Sequence, residues 1–383
     1  MRRVVLVGNG LSTAANGGFR LGPLTTSVQA RLDAVQIGAR TAREHLELIR
    51  DRLEADGHQD PNGSTFERLL GPLDRLSGLM SVELAAVIGS VRPDLLDPLR
   101  EVGDLVRALY VRGVGAVLSE IDALDAATNL DPVREVVRWT TGGLGKYDHL
   151  SVYTVNYDPL LDRELLASQT EVAQGVVTAR YLLADEFSGL DEDASTITLA
   201  AGTNPVTAFA PRSEPYGRPR AVDLVHLHGG QHWIRTASGL VYKAPLADLR
   251  AVDAYGRWTR GDPIVVQPAV VLTDQKSVAV LQGPFVDAYA RLRHDLTRAH
   301  RVVVLGYGFG DEPLNAVLRD GLAGAHPPGA TWLINRNACA PVDEPAVRAT
   351  TAAALGIAPA ALPDILLRPL PQIATERPHF FDR

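Results

Sequence analysis

The sequence predicts an α/β fold: a Rossmann-like parallel sheet with helices on both faces, plus a large all-helical insertion. Three observations carry this expectation. Apolar runs at residues 4–7, 150–155, 224–227, 301–305 and 331–334 are nearly unbroken, as in strands buried on both faces of a parallel sheet. They run into Gly8, Asn156, His228, Gly306 and Asn335, so polar or glycine residues sit at the strand ends where open parallel sheets bind ligands. Between the first two runs, residues 27–147 show helical spacing with no convincing strand.

Taken in order, Met1-Arg2-Arg3 and the apolar run 4–7 superficially imitate an export signal. The run stops after four residues at Gly8-Asn9-Gly10, too short for an export signal's apolar core, and is read as a first strand. Helical spacing follows at 27–52, then resumes at 65–70 after the loop Asp60-Pro61-Asn62-Gly63, and again at 81–88, 95–109 and 114–124. The second strand ends in Asn156-Tyr157-Asp158. Residues 172–220 are rich in Gly, Pro, Thr and Ser and are read as irregular or short-stranded, within an insertion spanning 167–222. The strand at 301–305 breaks into Gly306-Tyr307-Gly308-Phe309-Gly310-Asp311 before a helix from about Pro313. The Pro-rich tail after Leu362 is read as an extended or fraying arm.

Composition narrows the function classes. With 383 residues the chain can bury a substantial core. A net charge of -7 without a long Lys/Arg run argues against direct nucleic-acid binding. Cys339, the single cysteine, excludes an intrachain disulfide and a four-cysteine zinc site. No apolar stretch reaches the roughly 20 residues needed to cross a bilayer, so a soluble, cytoplasmic protein without a membrane partner is expected.

The residues that bear chemistry each admit a plainer reading. Gly8-Asn9-Gly10-Leu11-Ser12 follows a buried strand, where glycines let backbone approach a pyrophosphate and N–H groups hold its charge. It is not a full G-x-G-x-x-G, and a tight strand-to-helix turn explains it equally. Asn156 and Asp158 either face a ligand or form a turn. His228, beside an apolar strand, is either a structural hydrogen-bonding residue or a general base. His226 shares a strand face with His228 by two-residue alternation, unless the strand bends between them. Asp311 either caps the helix near Pro313 or meets a ligand. Glu67 favours the positive end of its own helix, and no role is read for His232 or Trp233.

Read jointly and in order, Gly8-Asn9-Gly10-Leu11-Ser12, Thr154-Val155-Asn156-Tyr157-Asp158, His226-Leu227-His228-Gly229 and Gly306-Tyr307-Gly308-Phe309-Gly310-Asp311 resemble the Sir2-like family. The resemblance covers roughly residues 1–26, 148–166 and 222–340, and leaves the helical block and the stretch before His226 outside it. It implies one Sir2-like domain over 1–383 with NAD as substrate. Gly8, Asn9, Gly10 and Ser12 would lie at the pyrophosphate, and Gly306, Tyr307, Gly308, Phe309 and Asn335 near the adenosine ribose. His228, Asn156 and Asp158 would be the catalytic set. Two departures stand out: Asn9 replaces the family's alanine, and the separation of Asn156 from His228 is long.

Family members that deacylate lysine carry a module holding zinc through four cysteines, which this chain cannot build. The resemblance therefore implies no zinc, and hydrolysis of NAD to nicotinamide and ADP-ribose rather than protein deacylation. It further implies a regulated anti-phage defence effector, forming a homo-oligomer and paired with a partner ATPase or sensor protein. Two other functions stay open: a catalytically silent sensor of NAD or ADP-ribose, and a scaffold in which the helical block mediates assembly.

Overall fold

The computed structural model describes residues 1–55, 70–71, 73, 82–173, 176–185, 187, 194–211, 221–272, 281, 283–336 and 343–381. The loop at 60–63, the helix start read at 65–69 with Glu67, and Cys339 lie outside the described residues.

From the amino terminus, β1 (Arg2–Val7) leads into α1 (Gly10–Ala15) and α2 (Leu21–Asp33). The short strands β2 (Gln36–Ile37) and β3 (Arg40–Thr41) precede α3 (Ala42–Ala55), α4 (Val82–Val91), α5 (Leu96–Asp125) and α6 (Asp131–Thr141). Next come β4 (His149–Thr154), α7 (Leu160–Ser168), β5 (Thr170–Ala173), β6 (Val176–Ala179), β7 (Leu182–Ala184), β8 (Ala194–Ile197) and β9 (Val206–Phe209). The chain continues through β10 (Ala221–His226), β11 (Gly229–Arg235), β12 (Val241–Lys243), α8 (Leu246–Ala251), α9 (Ala254–Arg260) and β13 (Gln267–Val270). It ends with α10 (Phe285–Leu296), β14 (Arg301–Leu305), α11 (Glu312–Ala323), β15 (Thr331–Asn335), α12 (Glu344–Leu355), β16 (Asp364–Leu366) and α13 (Leu370–Glu376).

Seven of these strands form one parallel sheet in the order β16-β15-β14-β1-β4-β10-β7. Its strands are apolar on both sides because both faces are covered. Val5, Val7, Val152, Leu224 and Val303 face a core closed by α1, α2, α5, α6 and α7. Val4, Leu6, Tyr153, Val225 and Val304 face a second core closed by α10, α11 and α12. This is the Rossmann-like arrangement the unbroken runs predict.

The helical block differs from its reading in two places. Residues 27–52 are not one helix, since the β2–β3 hairpin interrupts them around Gly38, whose φ of 63° suits glycine. Conversely, the two segments read at 95–109 and 114–124 join in the single long helix α5 (Leu96–Asp125), which passes through Gly113 and Gly115 without a break. A Cβ on Gly113 would lie 2.0 Å from Leu70 Cδ2, and one on Gly115 2.6 Å from Trp258 Cβ, so these glycines serve close packing rather than interruption.

Two further differences concern strands. Where it is described, the stretch 167–222 takes the short-stranded form of its reading, but it also contributes β7 to the edge of the main sheet, and β8 and β9 to a five-stranded antiparallel sheet, β13-β11-β12-β9-β8. That second sheet has no counterpart in the sequence reading. The tail is no frayed arm: β16 pairs with β15 on the sheet's other edge, and α13 buries Leu370 and Ile373 in the first core. Phe381 then packs beneath the guanidinium of Arg3, 4.9 Å from its ring centroid. Buried polar groups tie α10 to the sheet: Arg291 pairs with Asp223, and Ser151 and Tyr153 donate to Asp295 at 2.6 and 2.7 Å.

Candidate functional site

Register aligns the strand ends. Asn335 pairs with Leu305, Leu305 with Val7, Val7 with Thr154, and Thr154 with His226, forming one row across five strands. Whatever follows each strand therefore emerges at the same level. Successive connections move one way from β1 through β4, while β14 adds on the opposite side of β1, so the crossover direction switches between β1 and β14. Ligands of open α/β sheets bind outside the carboxyl ends at such a point.

At that switch the two glycine loops pack backbone to backbone. Gly8 N–H donates to Leu305 O at 2.9 Å, and Gly10 N–H to Gly306 O at 2.8 Å. A Cβ on Gly8 would stand 2.6 Å from Tyr307 Cα, and one on Gly306 (φ 58°) 2.7 Å from Gly10 Cα. Close approach of the loops thus accounts for Gly8 and Gly306 without a ligand, whereas Gly308 and Gly310 border open space. Asn9 donates through Nδ2 to Phe19 O at 2.9 Å, holding the turn into α2.

Ser12, Asn156 and Asp158 form one buried cluster. Asn156 Nδ2 donates to Gly8 O at 3.2 Å and to Ser12 Oγ at 2.9 Å, and Ser12 Oγ donates to Asp158 Oδ2 at 2.6 Å. The amide nitrogen is spent on these contacts, and Asn156 Oδ1 has no hydrogen-bond partner among the described residues. Burial is the chief influence on Asp158. It pushes the carboxyl up to about 6, against the stabilising hydrogen bonds from Ser12 and the Leu160 N–H. Asp158 is both the turn former that leads into α7 and a member of this cluster.

His228 belongs to a different cluster. Its Nε2 hydrogen-bonds the Tyr289 hydroxyl at 3.1 Å and lies 2.8 Å from Asp311 Oδ2, an ion pair when the ring is protonated. Asp311 takes the capping role read for it, since its Oδ1 accepts the Leu314 N–H at the start of α11 while its Oδ2 faces His228. The Tyr307 hydroxyl donates to Asn315 Oδ1 at 2.9 Å and contacts Asp311 O at 3.1 Å. Among the described residues no hydrogen bond joins His228 to Ser12, Asn156 or Asp158.

The strand bends between the two histidines. By alternation His226 and His228 share a face, but β10 ends at His226 and Gly229 adopts φ 78°. His226 Nε2 meets Asp162 Oδ2 at 3.0 Å on α7, beside His232 on β11, while His228 turns toward α10 and α11. Burial, the largest influence on Asp162, raises its pKa, but the charges of His226 and Lys243 outweigh that and hold it far below the carboxylate range. Burial pushes His232 down to about 3. His232 and Trp233, given no role from sequence, are both buried.

The remaining residues assigned to the adenosine end are placed as follows. Tyr307 and Phe309 are buried, Phe309 at φ 58° with the Arg336 guanidinium 5.2 Å from its ring centroid. Asn335 is fully buried, donating from Nδ2 to Arg368 O at 3.1 Å, while its backbone carbonyl accepts the Gly306 N–H at 2.8 Å. Asp162 and Tyr289 are the additions that sequence missed. Asp162 lies one helical turn beyond Asp158, a spacing that signals proximity; nothing local marks Tyr289, which reaches His228 from 61 residues away.

Comparison with known proteins gives no matching family model and no matching curated protein. Among solved structures, the chain is similar to Sir2Tm bound to a propionylated peptide, with 11% sequence identity and a TM-score of 0.36 over 89% of this chain and 84% of that one. Similarity at that level does not bear on chemistry, which rests on the chain's own geometry. Among the described residues no helix is long and apolar enough to cross a membrane.

Proposed function

We propose that the carboxyl-end edge of β1, β4 and β14 binds NAD and that the protein hydrolyses its nicotinamide–ribose bond. The observation that carries this reading is the Asn156 amide. It is buried at the end of β4, beside the β1 loop, with its nitrogen fixed by Gly8 O and Ser12 Oγ and its Oδ1 without a partner among the described residues. A buried acceptor with no partner costs about 1–3 kcal/mol, and a hydroxyl of water or ribose is the partner it fits.

In the reaction, the bond between ribose C1′ and the nicotinamide nitrogen breaks and its electron pair leaves with neutral nicotinamide. Water adds to the oxocarbenium-like carbon, and its proton passes to a base. His228 is that base in this reading, held between Asp311 and Tyr289, with Asn156 placing the water or ribose and Asp158 orienting Asn156 through Ser12. A Sir2-like identity over 1–383, assembly as a homo-oligomer, activation by a partner ATPase or sensor protein, and an anti-phage defence role belong to the same proposal and rest on the sequence resemblance alone.

A silent sensor of NAD or ADP-ribose is the second reading, favoured by the lack of a hydrogen bond between His228 and the Asn156 cluster. Nicotinamide release by purified protein, alone and with candidate activating partners, separates the two. His228→Ala and Asn156→Ala are each expected to cut turnover by about a hundredfold or more while leaving the near-UV circular dichroism of the folded protein intact. Turnover by folded His228→Ala equal to that of the unaltered protein removes His228 as the base, and tight NAD binding without any nicotinamide release supports the sensor.

A further inference from the structure

We propose that Asp162, His226 and His232 form a binding site for a divalent transition-metal ion of the zinc class. The three residues come from separate elements: the first turn of α7, the carboxyl end of β10 and the middle of β11. Their donor atoms all lie within 4.8 Å of one another. His226 Nε2 is 3.0 Å from Asp162 Oδ2, and His232 Nε2 is 3.8 Å from Asp162 Oδ1. Donor atoms bound about 2.0–2.1 Å from a tetrahedral zinc ion are separated by about 3.3 Å, and each histidine nitrogen lies near that distance from one of the two Asp162 oxygens.

A second, independent observation points to a ligand. His232 is buried at 3% exposure, and its Nε2 has no hydrogen-bond partner among the described residues. Buried polar nitrogens are nearly always satisfied, and this one faces a carboxylate it is too far away to bond. A cation between them satisfies both. Two imidazoles and one carboxylate make a borderline nitrogen–oxygen donor set suited to zinc, and three protein ligands leave a fourth position open to water or a small anion.

Lys243 is the competing cation. Its ammonium lies 3.5 Å from Asp162 Oδ1 and also pairs with Asp185, so it retains a carboxylate when Asp162 turns to a metal. A purely structural histidine–carboxylate–lysine network predicts the opposite response to removing that ammonium. Loss of Lys243 leaves such a network short of charge, but leaves a metal site with a competitor fewer.

The test is titration of chelator-treated protein with Co²⁺, read by the visible absorption of a four-coordinate site, followed by displacement with Zn²⁺. About one equivalent is expected to bind, weakened at least about tenfold in both His232→Ala and Asp162→Asn and tightened in Lys243→Met. Binding that is absent from the unaltered protein, or unchanged in His232→Ala and Asp162→Asn, overturns the proposal. If His232→Ala does not fold, Asp162→Asn and Lys243→Met decide alone, since misfolding does not raise affinity. The readout is metal, not nicotinamide, so the result stands apart from the NAD reading.

Discussion

Asp158 carries a carboxyl whose buried position, more than any single partner, sets its protonation. Ser12 and the Leu160 N–H stabilise the charged form, yet desolvation dominates and the group titrates near 6 rather than near the ordinary 3.8. Below about pH 4 the group is protonated folded or unfolded. Between about 4 and 6 the folded chain keeps a proton that the unfolded chain has lost, so stability falls as pH rises through that window and then levels off. The cost at neutral pH is on the order of 2–3 kcal/mol for a shift of this size. Asp158→Asn is therefore expected to flatten stability against pH between 4 and 6, measured by urea unfolding. Parallel curves for the two proteins would show that Asp158 is not the group responsible. Asn156, Asp158 and His228 stand out in the sequence because polar residues end apolar strands. Their hydrogen-bond partners do not, because Ser12 is 146 residues from Asp158 and Tyr289 is 61 from His228.

Among the elements, the loops after β1 and β14 depend on each other. Each glycine is needed because the other loop's backbone lies against it, a requirement that neither loop's sequence displays alone. Gly8→Ala drives a methyl to 2.6 Å from Tyr307 Cα, and the loops must separate to admit it. The substitution is expected to cost about 1–3 kcal/mol in unfolding experiments and to weaken nucleotide binding with it. An unperturbed Gly8→Ala protein would mean the loops are not held together as described. The bend after β10 belongs to the same scale. Two-residue alternation puts His226 and His228 on one face, but Gly229 at positive φ and the start of β11 send their rings to different partners.

Over the whole molecule, the parallel sheet is level at its carboxyl edge because five strands share one register. That edge carries all three polar clusters, including the proposed metal ligands. If that edge is a nucleotide site, ADP-ribose, which the proposed hydrolysis does not consume, should raise the melting temperature. At a concentration a hundred times its Kd the gain is about 2.7 kcal/mol. A melting temperature unchanged by millimolar ADP-ribose and NAD would remove the edge as their binding site.

The type of the core strands, their order along the chain and the polar residues at their ends were determined by the sequence itself. Apolar runs and turn residues act locally, through propensity and burial pattern, and local signals can be read one segment at a time. Only the tertiary structure decided that β16 and β7 close the sheet's edges, that a second antiparallel sheet packs beside it, and that Asp162, His226 and His232 meet. Those outcomes depend on register and on contacts between residues far apart in the chain, where burial and complementary partners, not neighbouring residues, choose the arrangement.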